Sequence, residues 1–510
     1  MPGARGASTA AAQPGEPPQS SRAFLPVAKT LPQRYNKHGM SGNPIHFGTS
    51  GWRGVIAEDF TFANVKLASS AIAQYLLSQS GKPRVMVGYD TRFLSEKFAA
   101  AASEMLASHG VETWNSSGPA PTPALSHEIL HSRLDGGINI TASHNPAEYN
   151  GLKFSGSDGA PAMPEVTREI ESLAARIERG EFSLHGPKFT APLTRPGNPK
   201  PAYLDALRGK IDFQAIADAK LKVAYDPLYG TALGYLDDLL RECGASVHTL
   251  HDYRDVLFAG TGPDPSRQNL AELAECVKRE HCAAGLSTDG DADRFGFVDA
   301  DGTWIHPNYI LALLADYLIE VRKIPGGIGR SVATTHLIDA VAKHHGVPVY
   351  QTPVGFKYLG ELIKQDKIVL GGEESAGLSI RGHLPEKDGI LACLLVAEMV
   401  AKRGLTLKQQ IDDLFKKVGP CFTVRVNLAL APDAAKRLAG KLKQDYDQFD
   451  GRKVVKIDRM DGLKMIHEDG SWVLMRPSGT EPVVRVYCEA PSQAELDRLT
   501  SAAKAFVSSP

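Results

Sequence analysis

The sequence predicts an α/β protein built of three tandem mixed α/β units of βαβ type and a smaller C-terminal α+β unit. Three observations carry that expectation. From Phe47 onward, strand-like apolar runs alternate with helical patterns, as in layered folds with parallel strands. A strand, a polar turn and a helix recur three times along the chain. The 510 residues exceed what a single hydrophobic core serves, since domains usually hold about 100–150 residues.

Residues 1–39 are rich in Ala, Pro, Gly and Ser and almost free of large apolar side chains, so a disordered tail is expected. Its Arg and Ser content resembles a transit peptide faintly, and Met40 offers an alternative start. The first unit, 40–198, contains RVMVGYD (Arg84 to Asp90), a buried strand whose polar turn TRFLS opens the helix EKFAAAASEMLASHG. Prolines crowd between His185 and Tyr203, where a linker is expected. In the second unit, 199–302, the strand LKVAYDPLYGTA leads to the helix LGYLDDLLRECG, and a softer boundary falls near Asp299 to Asn308. The third, 303–419, repeats the arrangement at SVATTHLIDAVAKHHG (Ser331 to Gly346). Beyond Lys416 to Val424, the fourth unit, 420–510, mixes FTVRVNLAL, GSWVLMRPS and PVVRVYCEA with two Ala/Leu/Lys-rich helices.

Composition narrows the function classes. A net charge of −1, with no basic block, argues against a nucleic-acid partner. The longest apolar segments, Ile310 to Val321 and Ile390 to Ala401, contain acidic residues and fall short of the roughly 20 residues a bilayer span needs, so they read as buried helices. The six cysteines are scattered, without a C-x-x-C pair, as in a reduced cytoplasmic protein.

Five stretches could carry chemistry. STDGDADRFGF places Asp289, Asp291 and Asp293 at alternate positions on a Gly-containing loop, where three carboxylates can converge on a hard cation. An EF-hand loop would need Gly and Glu where Arg294 and Ala300 stand, so Mg²⁺ fits better than Ca²⁺. TASHNP (Thr141 to Pro146) lacks the G-x-S-x-G elbow of a hydrolase, which leaves Ser143 as a loop hydroxyl or the carrier of a transferred group. LGGEESAG follows the apolar KIVL on what reads as a loop, with Glu373, Glu374 and Ser375 as acceptors suited to sugar hydroxyls. RPSGTEP (Arg476 to Pro482) sets a guanidinium, two hydroxyls and backbone N–H groups on one turn, a phosphate grip. FGTSGWRG (Phe47 to Gly54) offers Thr49, Ser50 and Arg53 on another.

Taken in order, FGTSGWRG, TASHNP, DGDADR, GGEESAG and RPSGTEP resemble the full motif set of the α-D-phosphohexomutases, and the resemblance runs from about Met40 to the C-terminus. It implies four domains around a central cleft, each contributing one loop. It implies that Ser143 carries a phosphoryl group, with Ser143, Asp289, Asp291 and Asp293 holding Mg²⁺. Lys153 matches the general acid/base position, with His144 and Arg53 as alternatives; Arg53 and Lys357 supply positive charge around the transferring group. Arg294, Glu373, Ser375 and Lys387 join the substrate contacts, and Arg476, Ser478, Gly479 and Thr480 clamp the remote phosphate. The implied reaction turns over a hexose phosphate through a glucose 1,6-bisphosphate intermediate that also serves as activator, in a monomer or weak dimer. The GEES spelling and the HLPEKDG that follows resemble the glucose-directed phosphoglucomutases, although Ala376 stands where relatives often carry Gly or Phe. A phosphomannomutase or dual-specificity enzyme is the nearest alternative; phosphoglucosamine mutases usually have Gln where Glu374 stands. A binding protein that lost turnover, or a serine phosphatase, are the readings from other classes.

Overall fold

The computed structural model describes residues 45–186, 193–477 and 483–508. The tail expected to be disordered lies outside the described residues. Among these, the chain forms four sheets that follow the four units of the sequence reading, except that Trp304–Ile305, placed there in the third unit, pairs with Phe295–Asp299 in the sheet of the second.

The first sheet contains β1 (Trp52–Val55), β2 (Arg84–Tyr89), β3 (Glu112–Ser116), β4 (Gly136–Ile140), β5 (Tyr149–Gly156) and β6 (Thr194–Gly197), in the spatial order β1-β5-β4-β2-β3-β6. β2 is covered on both faces by helices, which is why RVMVGY reads as a continuous apolar run. β6 falls within the proline-rich stretch expected as a linker and pairs with β3 in parallel. The second sheet, β7 (Lys222–Asp226), β8 (Ser246–Thr249), β9 (Ala284–Thr288), β10 (Phe295–Asp299) and β11 (Trp304–Ile305), runs β11-β10-β9-β7-β8. The third, β12 (Gly327–Ser331), β13 (Val349–Thr352), β14 (Ile368–Glu373) and β15 (Gly377–Ile380), runs β13-β12-β14-β15. In all three, parallel strands fill one side, and the last of them turns back through an antiparallel hairpin: β4–β5, β9–β10 and β14–β15.

The fourth sheet is antiparallel throughout: β16 (Phe422–Ala429), β17 (Gln448–Phe449), β18 (Arg452–Asp458), β19 (Leu463–His467), β20 (Trp472–Pro477) and β21 (Val483–Ala490). The sequence reading anticipated β16, β20 and β21. It missed β17 to β19, because β18 is a largely exposed strand of RKVVKID in which charged residues blur the alternation.

Three other elements differ from expectation. The strand of the third unit is GIGRS, ahead of Ser331 rather than after it; its glycines and Arg330 hid it. The helix read from LGYLDDLLRECG is only Leu236–Glu242, since Leu228 and Tyr229 adopt left-handed φ of 50° and 59° and prolong the turn. The KIVL strand continues to Glu373, so the supposed loop is a three-residue hairpin turn, Glu374 to Ala376, between β14 and β15.

The second and third units share one hydrophobic core. At its centre lies the helix Gly389–Arg403, buried from Gly389 through Val400 and therefore apolar all round. Asp388 caps it by accepting from Leu391 N and also accepts from Tyr203 Oη (2.8 Å) and His383 Nε2 (2.7 Å). Gly389 donates to Ala292 O (3.0 Å) and sits where a Cβ would come to 2.2 Å from Arg294 O. Gly389→Ala is therefore expected to destabilise the protein by about 1–3 kcal/mol through overpacking, read as a lower denaturant midpoint.

Candidate active site

The β4–β5 turn carries TASHNP. Ser143 is 1% exposed and has a φ of 55°, a left-handed conformation that costs a non-glycine residue about 1–2 kcal/mol. Such a residue persists where its surroundings over-determine it. Here Ser143 N donates to Thr141 Oγ1 (2.9 Å), and Thr141 Oγ1 donates in turn to Asp90 Oδ2 (2.6 Å). The Ser143 hydroxyl donates to Asp289 Oδ2 at 2.6 Å, across the junction between the first and second units, and lies 3.4 Å from His144 Nδ1. The approach needs glycine opposite: a Cβ at Gly290 would come to 2.7 Å from Ser143 O.

The β9–β10 turn brings Asp289, Asp291 and Asp293 together, with one oxygen of each inside a 4.8 Å cluster, all three buried. Asp289 Oδ1 accepts from Arg294 N (3.0 Å). Asp291 Oδ2 accepts from Thr122 Oγ1 and from Lys153 Nζ (2.6 Å), and Asp293 Oδ2 accepts from Lys153 Nζ (2.6 Å) and lies 3.0 Å from Lys387 Nζ. The second oxygens, Asp291 Oδ1 and Asp293 Oδ1, are buried without a hydrogen-bond partner. Buried unpartnered carboxylate oxygens are costly, and oxygen donors in this number beside a serine Oγ suit a hard divalent cation. Burial and the Asp291 and Asp293 charges push Asp289 well above the usual carboxylate range. Asp293 lies well below it despite its burial, because Lys153, Lys387 and Arg294 surround it.

The cations of the site differ in state. Burial disfavours the Lys153 ammonium, but Asp291 and Asp293 more than offset this and hold its pKa above the ordinary value. Burial, with Arg294 and Arg53 nearby, pushes His144 well below its usual range, so its imidazole is neutral. Burial and Arg294 bring Arg53 down to about 10; its Nη1 donates to Asn145 Oδ1 (2.6 Å), on the serine turn. Arg294 Nε lies 3.8 Å from Asp293 Oδ1. Lys387, expected among the substrate contacts, lies 3.0 Å from Asp293 Oδ2 and 3.3 Å from Glu386 Oε1.

The β14–β15 turn joins this assembly directly, since Phe295 N donates to Ala376 O (3.0 Å). Glu373, the last residue of β14, accepts from Gly355 N (2.8 Å) and is raised to about 7 by burial and by Glu374. Ser375 is half-buried at the tip of the turn, and Lys357 is buried on the helix that starts after Gly355, its pKa lowered by burial. From the fourth unit, Arg476 reaches Asp461 Oδ1 at 2.8 Å, while Asp461 Oδ2 accepts from Val354 N (3.2 Å). Ser478, Gly479 and Thr480, expected to clamp phosphate, lie outside the described residues. Sequence reasoning missed Asp90, Arg92, Thr122, Glu386 and Asp461. Only Asp90 and Arg92 carried a signal, an acid and a guanidinium in the turn that follows a buried strand.

Comparison with known proteins agrees with this assembly. The chain matches the models of phosphoglucomutase/phosphomannomutase α/β/α domain I over residues 44–181, domain II over 201–302, domain III over 306–418 and the C-terminal domain over 426–505. It is 32% identical to a phosphoglucomutase/phosphomannomutase of Thermococcus kodakarensis, over 88% of this chain and 95% of that protein. A phosphoglucosamine/phosphogalactosamine mutase of Sulfurisphaera tokodaii is 30% identical, over 90% and 98%. A crystal structure provisionally assigned as a phosphomannomutase, from Thermus thermophilus, superposes with a TM-score of 0.80 at 33% identity, covering 91% of this chain and 99% of its own. The chain belongs to the phosphoglucomutase/phosphomannomutase family of α-D-phosphohexomutases, isomerase-class phosphotransferases.

Glu373 gives the site a pH signature. Between its ordinary value of 4.5 and about 7 the folded protein keeps a proton that the unfolded chain has lost, so stability falls as pH rises through that window. Glu373→Gln, which can still accept from Gly355 N, is expected to match the wild type in stability below about pH 4.5. Above about pH 7 it should exceed it by up to about 3 kcal/mol, measured by denaturant unfolding at fixed ionic strength.

Proposed function

We propose that the enzyme is a phosphoglucomutase, interconverting glucose 1-phosphate and glucose 6-phosphate through a phosphoserine at Ser143 and a glucose 1,6-bisphosphate intermediate. The observation that carries this reading is the 2.6 Å contact of the Ser143 hydroxyl with Asp289, inside a buried carboxylate trio that still has unpartnered oxygens.

Ser143, Asp289, Asp291 and Asp293 fit a Mg²⁺ ion, which when bound would neutralise charge around the transferring phosphoryl group and make phosphorus more electrophilic. In the first half-reaction the bond from phosphorus to the Ser143 oxygen breaks and one forms to the free sugar hydroxyl, whose proton must leave. Acid/base work is assigned to Lys153, with His144 and Arg53 as alternatives. Lys153, as an ammonium, carries a proton it can give to the departing serine oxygen, though the Asp291 and Asp293 charges weaken it as an acid. The neutral imidazole of His144, 3.4 Å from that oxygen, has a lone pair to take the sugar's proton, though burial weakens it as a base. The bisphosphate then reorients by half a turn, and Ser143 recovers the other phosphate. Glu373 and Ser375 hold sugar hydroxyls in both poses, Arg294, Lys357 and Lys387 supply positive charge, and Arg476 with Ser478, Gly479 and Thr480 grips the phosphate that is not reacting. The six unpaired cysteines support a reducing, cytoplasmic setting.

A phosphomannomutase or dual-specificity activity is the rival reading, and similarity to phosphoglucosamine mutases supports amino-sugar phosphates as a further class. In a coupled assay, glucose 1-phosphate is expected to turn over faster than mannose 1-phosphate or glucosamine 1-phosphate; equal or greater turnover of either overturns the glucose preference. Chelation of divalent ions should abolish turnover, with recovery on adding Mg²⁺. After incubation with glucose 1,6-bisphosphate, intact-mass measurement should find one added phosphate on the wild type and none on Ser143→Ala.

A further inference from the structure

One fully buried guanidinium shapes the serine turn. Arg92 follows β2, is fully buried, and spends its donors on the backbone of the Ser143 turn. Its Nη2 donates to Ser143 O and to Asn145 O, each at 2.6 Å, and its Nη1 to Pro146 O (2.7 Å) and Tyr149 O (3.1 Å). Its Nε donates to Asp90 Oδ2 (3.1 Å). Asp90 also accepts from Arg92 N (3.0 Å), Ser95 Oγ (2.8 Å) and Thr141 Oγ1 (2.6 Å), so the carboxylate that orients the guanidinium also holds the residue two before the serine.

The same side chain is braced from the second unit. The Phe258 ring lies 5.0 Å from the guanidinium, and Arg254 donates to Thr91 O and Arg92 O, both at 2.9 Å. Thr91 Oγ1 donates to Tyr229 O (2.9 Å). The turn that fixes the serine backbone is thus tied to the unit that carries the carboxylate trio.

We infer that Arg92 is a positioning residue for phosphoryl transfer: by binding four carbonyls between Ser143 and Tyr149 it holds Ser143 in its left-handed conformation, with its oxygen on Asp289. The geometry gives the reason. Rotation of the Ser143–His144 peptide would carry Ser143 O away from Arg92 and redirect the flanking chain, while Gly290 closes the space on the other side of that carbonyl. A planar fork with five N–H donors can satisfy four carbonyls and one carboxylate together; a lysine ammonium, with three donors at a point, cannot. Arg92 touches backbone only on the serine turn, so its loss should alter the reaction without weakening the hold on substrate.

The inference rests on the proposed phosphoserine chemistry, and its test keeps the two apart. Arg92→Lys is compared with wild-type full-length protein in the coupled assay, on whichever hexose phosphate the wild type turns over. The rate of phosphate gain from glucose 1,6-bisphosphate is followed by intact mass. Displacing a reacting group by about 1 Å costs on the order of 100-fold. The variant is therefore expected to lose about 100-fold in kcat and in loading rate, with KM within about threefold and a cooperative unfolding transition. Asp90→Asn, which leaves the arginine but loosens its seat, should show the same pattern with a smaller loss. A folded Arg92→Lys with wild-type kcat and loading overturns the inference, as does a loss confined to KM. If Arg92→Lys fails to fold, Asp90→Asn decides in the same way. A wild type that turns over hexose phosphate but never gains phosphate counts against the phosphoserine reading instead.

Discussion

Three carboxylates buried within 4.8 Å of one another are the constraint to which the rest of the structure answers. Like charges at that distance inside a protein repel strongly unless something of opposite sign stands beside them. The chain supplies part of the compensation itself: Lys153 from the first unit bridges Asp291 and Asp293, Lys387 from the third touches Asp293, and Arg294 flanks the trio. The cluster therefore cannot be completed by one unit alone. Its electrostatics act as a junction that draws the second unit against its neighbours, and the unpartnered oxygens that remain mark where compensation by the protein stops.

That junction has a common architectural origin. In each of the first three units the chain leaves a parallel strand and returns antiparallel beside it, and the turn between the two carries a site motif: residues 141–148 between β4 and β5, 289–294 between β9 and β10, 374–376 between β14 and β15. The RPSGTEP motif likewise spans the connection from β20 to β21. The carboxyl ends of the parallel strands are where open α/β sheets leave room for a ligand. Here several such ends converge, joined by Ser143–Asp289 and Phe295–Ala376. A site assembled this way can change one turn while the sheets behind it stay as they are.

Legibility in the sequence followed the range of the interactions. The trio, TASHNP and GEES could be read because their functional groups lie within a few residues of each other, and the buried helix Gly389–Arg403 because apolarity on every face is a local signal. The partners across the site could not. Nothing local says that Lys387 meets Asp293, that Thr122 donates to Asp291, or that Asp461 bridges Arg476 and the turn at Val354. Glycine masked structure in both directions: GIGRS is a strand that looks like a loop, and GGE, taken for a loop, completes β14. Arg92 was visible as a polar residue after a strand, but the carbonyls it serves lie more than fifty residues away.

The two seams of the third unit differ in kind, and the difference bears on how the site can work. Between the second and third units the contact is a continuous apolar core, and parting them would expose side chains that water disfavours. Between the third and fourth, a small apolar cluster around Trp472 sits beside polar groups. Lys464 Nζ donates to Val332 O (2.7 Å) and lies 2.9 Å from His336 Nε2 and 3.7 Å from the Trp472 ring, while Glu489 accepts from His336 N (2.9 Å) and Trp472 Nε1 (2.8 Å). Burial and Arg330 bring Lys464 down to about 7, so the closed seam favours a neutral amine where water would favour the cation. Opening that seam returns each polar group to water, which satisfies it, and lets the lysine recover its charge; opening the other seam has no such compensation. The proposed reaction, in which one intermediate would occupy two poses, would be served by one wall that yields while the others hold Ser143 in register. By the distribution of apolar and polar contact, the seam with the unit that carries Arg476 is the less costly of the two to open.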